Sequence, residues 1–199
     1  MSQFRQRVVP CDSLFKCQSL EELVLKNWLI IVPPLTSLSY LTTLQLSKTT
    51  VICCDSKDLT LKFPVLRKFE IEGGFPWSTN IKSVTLHAPI LKVVSMDYGS
   101  THHWSNAEIK FCASRLTKFC YAGSFLSEII LLDAVHIISA NIRLYSSKKS
   151  IAETMHFVSK LLSINAARLK LCVHSKKVCF LSSLFSLLFW FIASFRHFF

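Results

Sequence analysis

The sequence predicts an irregular α/β solenoid, in which short parallel strands form a concave face and loops with a few helices form the outside. Three observations support this prediction. A short apolar phrase of the form LxxLxL recurs, many copies are separated by about 21 to 25 residues, and Pro and Gly residues lie between the copies. Such a unit cannot bury its apolar face alone, so neighbouring units are expected to stack into a continuous core.

The repeated phrase predicts the strands. Its last two apolar residues are two positions apart, which places both on one side of an extended strand, while the first lies in the turn that leads into it. The six copies contain Leu20, Leu23 and Leu25; Leu41, Leu44 and Leu46; Leu66, Phe69 and Ile71; Ile81, Val84 and Leu86; Leu91, Val94 and Met96; and Leu116, Phe119 and Tyr121. A weaker copy contains Ala166, Leu169 and Leu171.

The spacing of the copies is uneven in the middle of the chain. The interval from Phe69 to Val84 is shorter than that from Leu44 to Phe69, and the interval from Val84 to Val94 is shorter still. We therefore expect some repeats to be reduced to a strand and a tight return. The returns are marked by Pro33, Pro34, Gly73, Gly74, Pro76, Pro89, Gly99 and Gly123.

The later part of the chain predicts three further strands and one helix. SEIILLDAVHI and ANIRLYS are interpreted as strands, with Ile129, Leu131, Ile142 and Leu144 directed inward. Ser150 and Glu153 form a capping-box pattern, and apolar residues then recur at helical spacing, so a helix is predicted over Ile151–Leu162. A strand over Arg168–Val173 follows.

These elements divide the chain into an N-terminal arm (1–10), a repeat solenoid (11–175) and an apolar tail (176–199) predicted to be helical. Val178–Phe195 contains no charged residue and has a length at the lower edge for crossing a bilayer. Three interpretations of this tail stay open: a membrane anchor that follows a cytoplasmic domain, a truncated or misread C-terminus, and a buried helix that caps the repeats.

The net charge of +11 is compatible with nucleic acid, a membrane surface or an acidic partner. Basic residues are spread along the chain and are not interleaved with aromatic residues at the spacing of a known nucleic-acid module. We therefore interpret them as a solvated basic surface, and no nucleic-acid partner is predicted.

No catalytic, cofactor or metal site is predicted. The eight cysteines include no CxxC pair, and the N-terminus lacks the apolar core of a secretion signal, so reduced thiols are expected. His102 and His103 are adjacent, but no metal-binding motif accompanies them. Asp55 and Asp58 fit a polar loop, and no paired carboxylates, phosphate loop or nucleophile motif points to an enzyme.

The longer intervals match those of leucine-rich repeats, although one feature of that class is missing. Such repeats usually carry Asn or Cys three residues after the last strand leucine, where the side chain ties successive repeats together. Here these positions hold Trp28, Thr49, Gly74, Pro89, Gly99 and Ser124. The chain therefore resembles a degenerate class without an asparagine ladder.

The order of the phrases gives a more specific resemblance. From Cys11 to Val173 the chain is similar to the leucine-rich-repeat region of plant F-box proteins of the F-box/FBD/LRR type. The phrases are SLFKCQSLEELVLKNW, LTTLQLSKTTV, FPVLRKFEIEGG, HAPILKVVSMDYG, KSIAETMHFVSKLL and ARLKLCV. In that family an F-box binds the Skp adaptor of a ubiquitin ligase, and the repeats hold the protein to be ubiquitinated. No F-box motif precedes the phrases here, so adaptor docking is not predicted.

The resemblance implies a protein partner on the concave face and a cytoplasmic or nuclear location, with attachment to a membrane through the tail as the alternative. Strand parity predicts the residues that face this partner: Glu22, Lys26, Gln45, Lys68, Glu70, Glu72, Thr85, His87, Asp97 and Lys118. Their mixed charge suits a protein more than a phosphate backbone. Tyr98 and Trp104 are either anchors for this partner or aromatic residues buried under a loop.

Overall fold

The apolar phrases form parallel strands that wind into a β-solenoid. The computed structural model describes residues 7–9, 14, 17, 19–53, 56–74, 76–99, 107–123, 128–133, 137–145 and 166–174. The strands are β1 (Arg7–Val9), β2 (Glu22–Lys26), β3 (Trp28–Val32), β4 (Leu35–Ser37), β5 (Thr43–Ser47), β6 (Thr50–Cys53), β7 (Asp58–Lys62), β8 (Lys68–Glu72), β9 (Ser83–His87), β10 (Val93–Asp97), β11 (Glu108–Cys112), β12 (Lys118–Gly123), β13 (Glu128–Leu132), β14 (Ile137–Tyr145) and β15 (Ala166–His174). The predicted solenoid is confirmed.

The strands belong to three parallel sheets. The seven-stranded sheet has the order β2-β5-β8-β10-β12-β14-β15, the five-stranded sheet β4-β7-β9-β11-β13, and the three-stranded sheet β1-β3-β6. From β7 to β14 the chain passes alternately between the five-stranded and the seven-stranded sheet. Each coil therefore contributes one strand to each of these two sheets.

The pairing register corrects the predicted irregularity of the repeats. Val84 lies in β9 of the five-stranded sheet, where it pairs with Leu59 and Ile109, which are equally far before and after it in the sequence. Phe69 and Val94 pair with each other in the seven-stranded sheet and are separated by the same interval. The short intervals on either side of Val84 are thus the two parts of one regular coil. The prediction of repeats reduced to a strand and a tight return is wrong here.

The predicted α/β class is also corrected, because the described return segments contain strands and the described solenoid has almost no helix. In β7, Leu59 and Leu61 are buried whereas Asp58 and Lys62 are exposed, which is the period of a half-buried strand and not of a helix. The helix predicted over Ile151–Leu162 and the apolar helix predicted in the tail lie outside the described residues.

The three late strands that the sequence predicts are present as β13, β14 and β15. Ile129 in β13 and Ile142 and Leu144 in β14 are buried, as expected for inward residues. Strand β15 pairs with β14 along its length and extends the seven-stranded sheet.

The core lies between the seven-stranded and five-stranded sheets and consists of stacked apolar rows. Phe69, Val94 and Phe119 occupy the same register on neighbouring strands and are at most 1% exposed. Across the core, the rings of Phe69 and Phe111 meet edge to face with their centroids 6.0 Å apart. The two sheets are therefore held together by close packing of side chains contributed by both.

A main-chain ladder joins successive coils where the chain enters the seven-stranded sheet. The carbonyl oxygen of Arg67 accepts hydrogen bonds from the N–H groups of Lys92 and Val93, at 2.9 and 3.1 Å. The same arrangement recurs at the carbonyl groups of Glu21, Thr42, Lys92 and Thr117. At the corners, backbone N–H and C=O groups of successive coils therefore bond to each other and do not require an asparagine side chain.

At the opposite end of these strands, Thr49 links two coils through its side chain. This residue occupies one of the positions at which leucine-rich repeats usually have Asn or Cys. Its buried hydroxyl donates to the carbonyl oxygen of Leu25 in the preceding coil at 3.0 Å, and it also lies 3.1 Å from the carbonyl oxygen of Ser47.

Candidate interaction surface

The side of the seven-stranded sheet that points away from the core is an ordered surface formed by described residues. We call it the outer face. Because strand residues alternate, every second residue of a strand is directed to this side, and the parallel register aligns these residues in three rows across all seven strands. Ser47 and Ala122 in these rows are themselves buried. The first row is Glu22, Thr43, Lys68, Val93, Lys118, Ser139 and Arg168; the second is Val24, Gln45, Glu70, Ser95, Cys120, Asn141 and Lys170; the third is Lys26, Ser47, Glu72, Asp97, Ala122, Arg143 and Cys172.

Most of the residues predicted to face a partner lie on this surface. The structure brings together Glu22, Lys26, Gln45, Lys68, Glu70, Glu72, Asp97 and Lys118. Thr85 and His87 are the exceptions, since they lie on β9 and point outward from the five-stranded sheet. Their placement with the others is wrong because the phrase around Val84 belongs to the other sheet.

The centre of the outer face is acidic. Glu72 on β8 and Asp97 on β10 are register partners, so their side chains are neighbours in one row. Lys68 forms an ion pair with Glu70 on its own strand at 2.9 Å, whereas Glu72 and Asp97 form no ion pair with any described residue. The Asp97 carboxylate also accepts a hydrogen bond from the N–H of Gly99 at 2.9 Å.

The end of the outer face that is formed by the last three strands is basic. Lys118, Arg143, Arg168 and Lys170 are all exposed there. None of the four forms an ion pair within the described part of the chain. Strand parity in the repeated phrases predicted only Lys118, although the strands that carry the other three were also predicted. The same parity applied to ANIRLYS and ARLKLCV identifies them.

Tyr98 is not an accessible anchor for a partner, and the alternative of a buried aromatic residue is confirmed for it. Its side chain is 4% exposed, its ring packs edge to face on Tyr121 at 5.9 Å, and its hydroxyl donates to Met96 Sδ at 3.2 Å. Burial, with a smaller contribution from Tyr121, raises the pKa of Tyr98 well above its ordinary value of 10.0. Trp104 lies outside the described residues.

Residues with the potential for chemistry do not converge in the described structure. Cys17, Cys53, Cys112, Cys120 and Cys172 are free thiols. Burial, and then the charge of Asp133, raises the pKa of Cys112 above its ordinary value of 9.0, which keeps this thiol protonated at neutral pH. Among the described residues no group of three or more His, Cys, Asp or Glu side chains could hold a metal ion.

Several residues named in the sequence analysis have no described position. They include Asp55, His102, His103, Ser124, Ser150 and Glu153. Of the eight cysteines, Cys11, Cys54 and Cys179 also lie outside the described residues, as does the apolar tail. Over the ranges that the structure describes, no helix has the length and apolar character needed to span a membrane.

The arrangement offers a long, regular, charged surface for binding and no converging set of reactive groups among the described residues. Comparisons of the chain with models of known protein families, with curated proteins and with solved structures found no match.

Proposed function

We propose that this protein is a non-catalytic interaction module that binds another protein on the outer face of its seven-stranded sheet. The observation that carries the proposal is the continuity of this face, whose rows present side chains of both charges at a fixed spacing. Neighbouring strands lie about 4.8 Å apart, so seven strands span about 29 Å. That length accommodates an extended segment of about nine residues or a helix of about 20 residues.

The order of the repeated phrases supports a more specific role, that of a substrate receptor similar to the repeats of F-box proteins. In this role the outer face holds the protein to be ubiquitinated, and the chemistry belongs to other components of the ligase. The proposed location is the cytoplasm or the nucleus, where these ligases act.

Site-specific photo-crosslinking tests the proposal with a matched pair of positions. Ser95 and Thr85 are both half-buried residues in the middle of central strands, but Ser95 belongs to the seven-stranded sheet and Thr85 to the five-stranded sheet. A photoreactive amino acid at Ser95 should capture a discrete protein from plant extract, whereas the same amino acid at Thr85 should not. Absence of an adduct at Ser95, or equal capture at both positions, contradicts the proposal.

A second candidate function depends on the tail. The uncharged run Val178–Phe195, with Lys176 and Lys177 before it, favours a small tail-anchored membrane protein with a cytoplasmic repeat domain. Fractionation of the full chain and of a chain ending at Lys177 distinguishes the two functions. Recovery of only the full chain with membranes supports the anchor, and recovery of both in the soluble fraction contradicts it.

A further inference from the structure

The charged side chains of the outer face are segregated along the solenoid axis. The last three strands, β12, β14 and β15, carry four cations and no carboxylate at their described outward positions. We call Lys118, Arg143, Arg168 and Lys170 the basic end. The carboxylates of Glu72 and Asp97, on β8 and β10, form the acidic centre beside it.

Within the basic end the cations alternate with small side chains. Ser139 on β14 is the register partner of both Lys118 on β12 and Arg168 on β15. The backbones that carry the two cations are therefore two strand spacings apart, or about 10 Å. The short serine side chain leaves room between them, so one carboxylate can contact both cations at once.

The acidic centre has the opposite character. Like charges that lie directly opposite each other on neighbouring strands repel and destabilise a sheet. Glu72 and Asp97 have this relationship, and a cation between them replaces repulsion with two attractions. The centre thus favours a lysine or arginine of a partner at the same time as the basic end favours aspartate or glutamate.

This segregation favours a protein segment over a nucleic acid. A nucleic acid that followed the solenoid axis would place phosphates over Glu72 and Asp97 as well as over the basic end, and part of the attraction would be lost. A protein segment can change its charge from one residue to the next and can match both regions.

We propose that the outer face binds a dipolar protein segment, with an acidic block on the basic end and a basic block on the acidic centre. This inference rests on the proposed function and specifies its partner. The middle of the acidic centre and the middle of the basic end are two and a half strand spacings apart, or about 12 Å. In an extended segment this distance corresponds to about four residues between the centres of the two blocks.

Peptide binding to the full chain tests the inference. The probe is a fluorescent peptide of three lysines, one glycine and four glutamates, and the reference is a peptide of the same composition with alternating charges. The dipolar peptide should bind at least about tenfold more tightly at low salt, and 1 M salt should abolish the difference, since it shortens the Debye length to about 3 Å. Equal binding of the two peptides overturns the inference, as does tighter binding of an RNA oligonucleotide.

Charge reversal locates the binding site. Arg143→Glu combined with Lys170→Glu should weaken binding of the dipolar peptide at least about tenfold, since two exposed attractions to the acidic block are replaced by repulsions. Lys62→Glu combined with Lys82→Glu changes the net charge equally away from the outer face and should leave binding within about twofold. An equal loss in both double variants overturns the inference, provided that thermal unfolding shows both to be folded.

A single reversal in the acidic centre gives an independent test. Glu72→Lys should weaken binding of the dipolar peptide and strengthen binding of an all-glutamate peptide, a pair of opposite effects that misfolding cannot produce. No change in either overturns the inference. Capture of a protein at Ser95 together with negative peptide results would reject the dipolar partner alone, while the proposed function would stand.

Discussion

Replacing Phe111 with alanine tests whether the return segments are packed strands. Phe111 lies on β11 of the five-stranded sheet and is fully buried, with its ring 6.0 Å from that of Phe69 across the core. Truncation of a buried phenylalanine to alanine typically costs about 3–5 kcal/mol, because apolar contact is lost and a cavity remains. We expect the free energy of unfolding to fall by this amount, a large part of the stability of an ordinary domain.

Urea unfolding followed by circular dichroism measures this change, with the free energy extrapolated linearly to water. The matched control is Lys110→Ala on the same strand, because Lys110 points outward and pairs with Glu108 on the surface at 2.9 Å. The control should change the free energy of unfolding by less than about 1 kcal/mol. If Phe111→Ala leaves too little folded protein, Phe111→Leu provides a milder truncation at the same site.

The same assay can isolate the contact between the two sheets. A double-mutant cycle with Phe69→Leu and Phe111→Leu should give a coupling energy of about 0.5–1.5 kcal/mol for the edge-to-face pair. A loss below about 1 kcal/mol for Phe111→Ala, similar to that of the control, would refute the assignment of β11 to a packed second sheet. A coupling energy near zero would show that the two rings do not meet across the core.

The remaining predictions concern the corners of the coils and the buried tyrosine. Thr49→Val should lower the free energy of unfolding in urea by about 1–3 kcal/mol, because the hydroxyl bound to Leu25 is lost, and Thr49→Ser should recover most of it. Gly73→Ala should lower the free energy of unfolding by about 1–2 kcal/mol in the same assay, because φ at this residue is +76° and an added Cβ would lie 2.8 Å from Lys48 Cγ. An unchanged free energy of unfolding would contradict the corner geometry. Because its pKa is raised, Tyr98 stays protonated in the folded state above pH 10.0, where it ionises in the unfolded state. The free energy of unfolding should therefore fall there by up to about 1.4 kcal/mol per pH unit. Tyr98→Phe should reduce this slope.

The buried positions of the strands were predictable from local alternation of apolar and polar residues. Leu44, Phe69 and Val94 all point into the core, as the spacing within each phrase requires. The turn position of each phrase was also readable, since Leu66 and Leu91 are fully buried at the corners that lead into the seven-stranded sheet. Both inferences depend only on residues that are close in sequence.

The five-stranded sheet can be recognised in the sequence from a repeat that is longer than one apolar phrase. The segments DLTLKFPVLRKFEIE, SVTLHAPILKVVSMD and EIKFCASRLTKFCYA begin at Asp58, Ser83 and Glu108, and they align without a gap at a constant offset. Each contains two strands joined by one corner, so the repeated unit is the pair. Treating each phrase as a complete repeat placed β9 in the wrong sheet, and with it Thr85 and His87.

For the candidate surface, too, local features were predictable from the sequence and contacts between coils were not. Parity assigned outward residues such as Glu70 and Lys118 correctly, because alternation along a strand is a local property. It could not show that Glu72 faces Asp97, or that Ser139 separates Lys118 from Arg168, because these neighbours are brought together by pairing between coils.

The sequence by itself determined that this chain builds a stack of short strands, and it determined which side of each strand is apolar. The tertiary structure decided which sheet each strand joins, and thereby which charges share a face. The physical reason is that alternation of side chains is imposed within a few residues by the geometry of the extended chain. Sheet membership, in contrast, depends on hydrogen bonds and packing between residues a full coil apart in the sequence, and similar apolar phrases satisfy both sheets equally well.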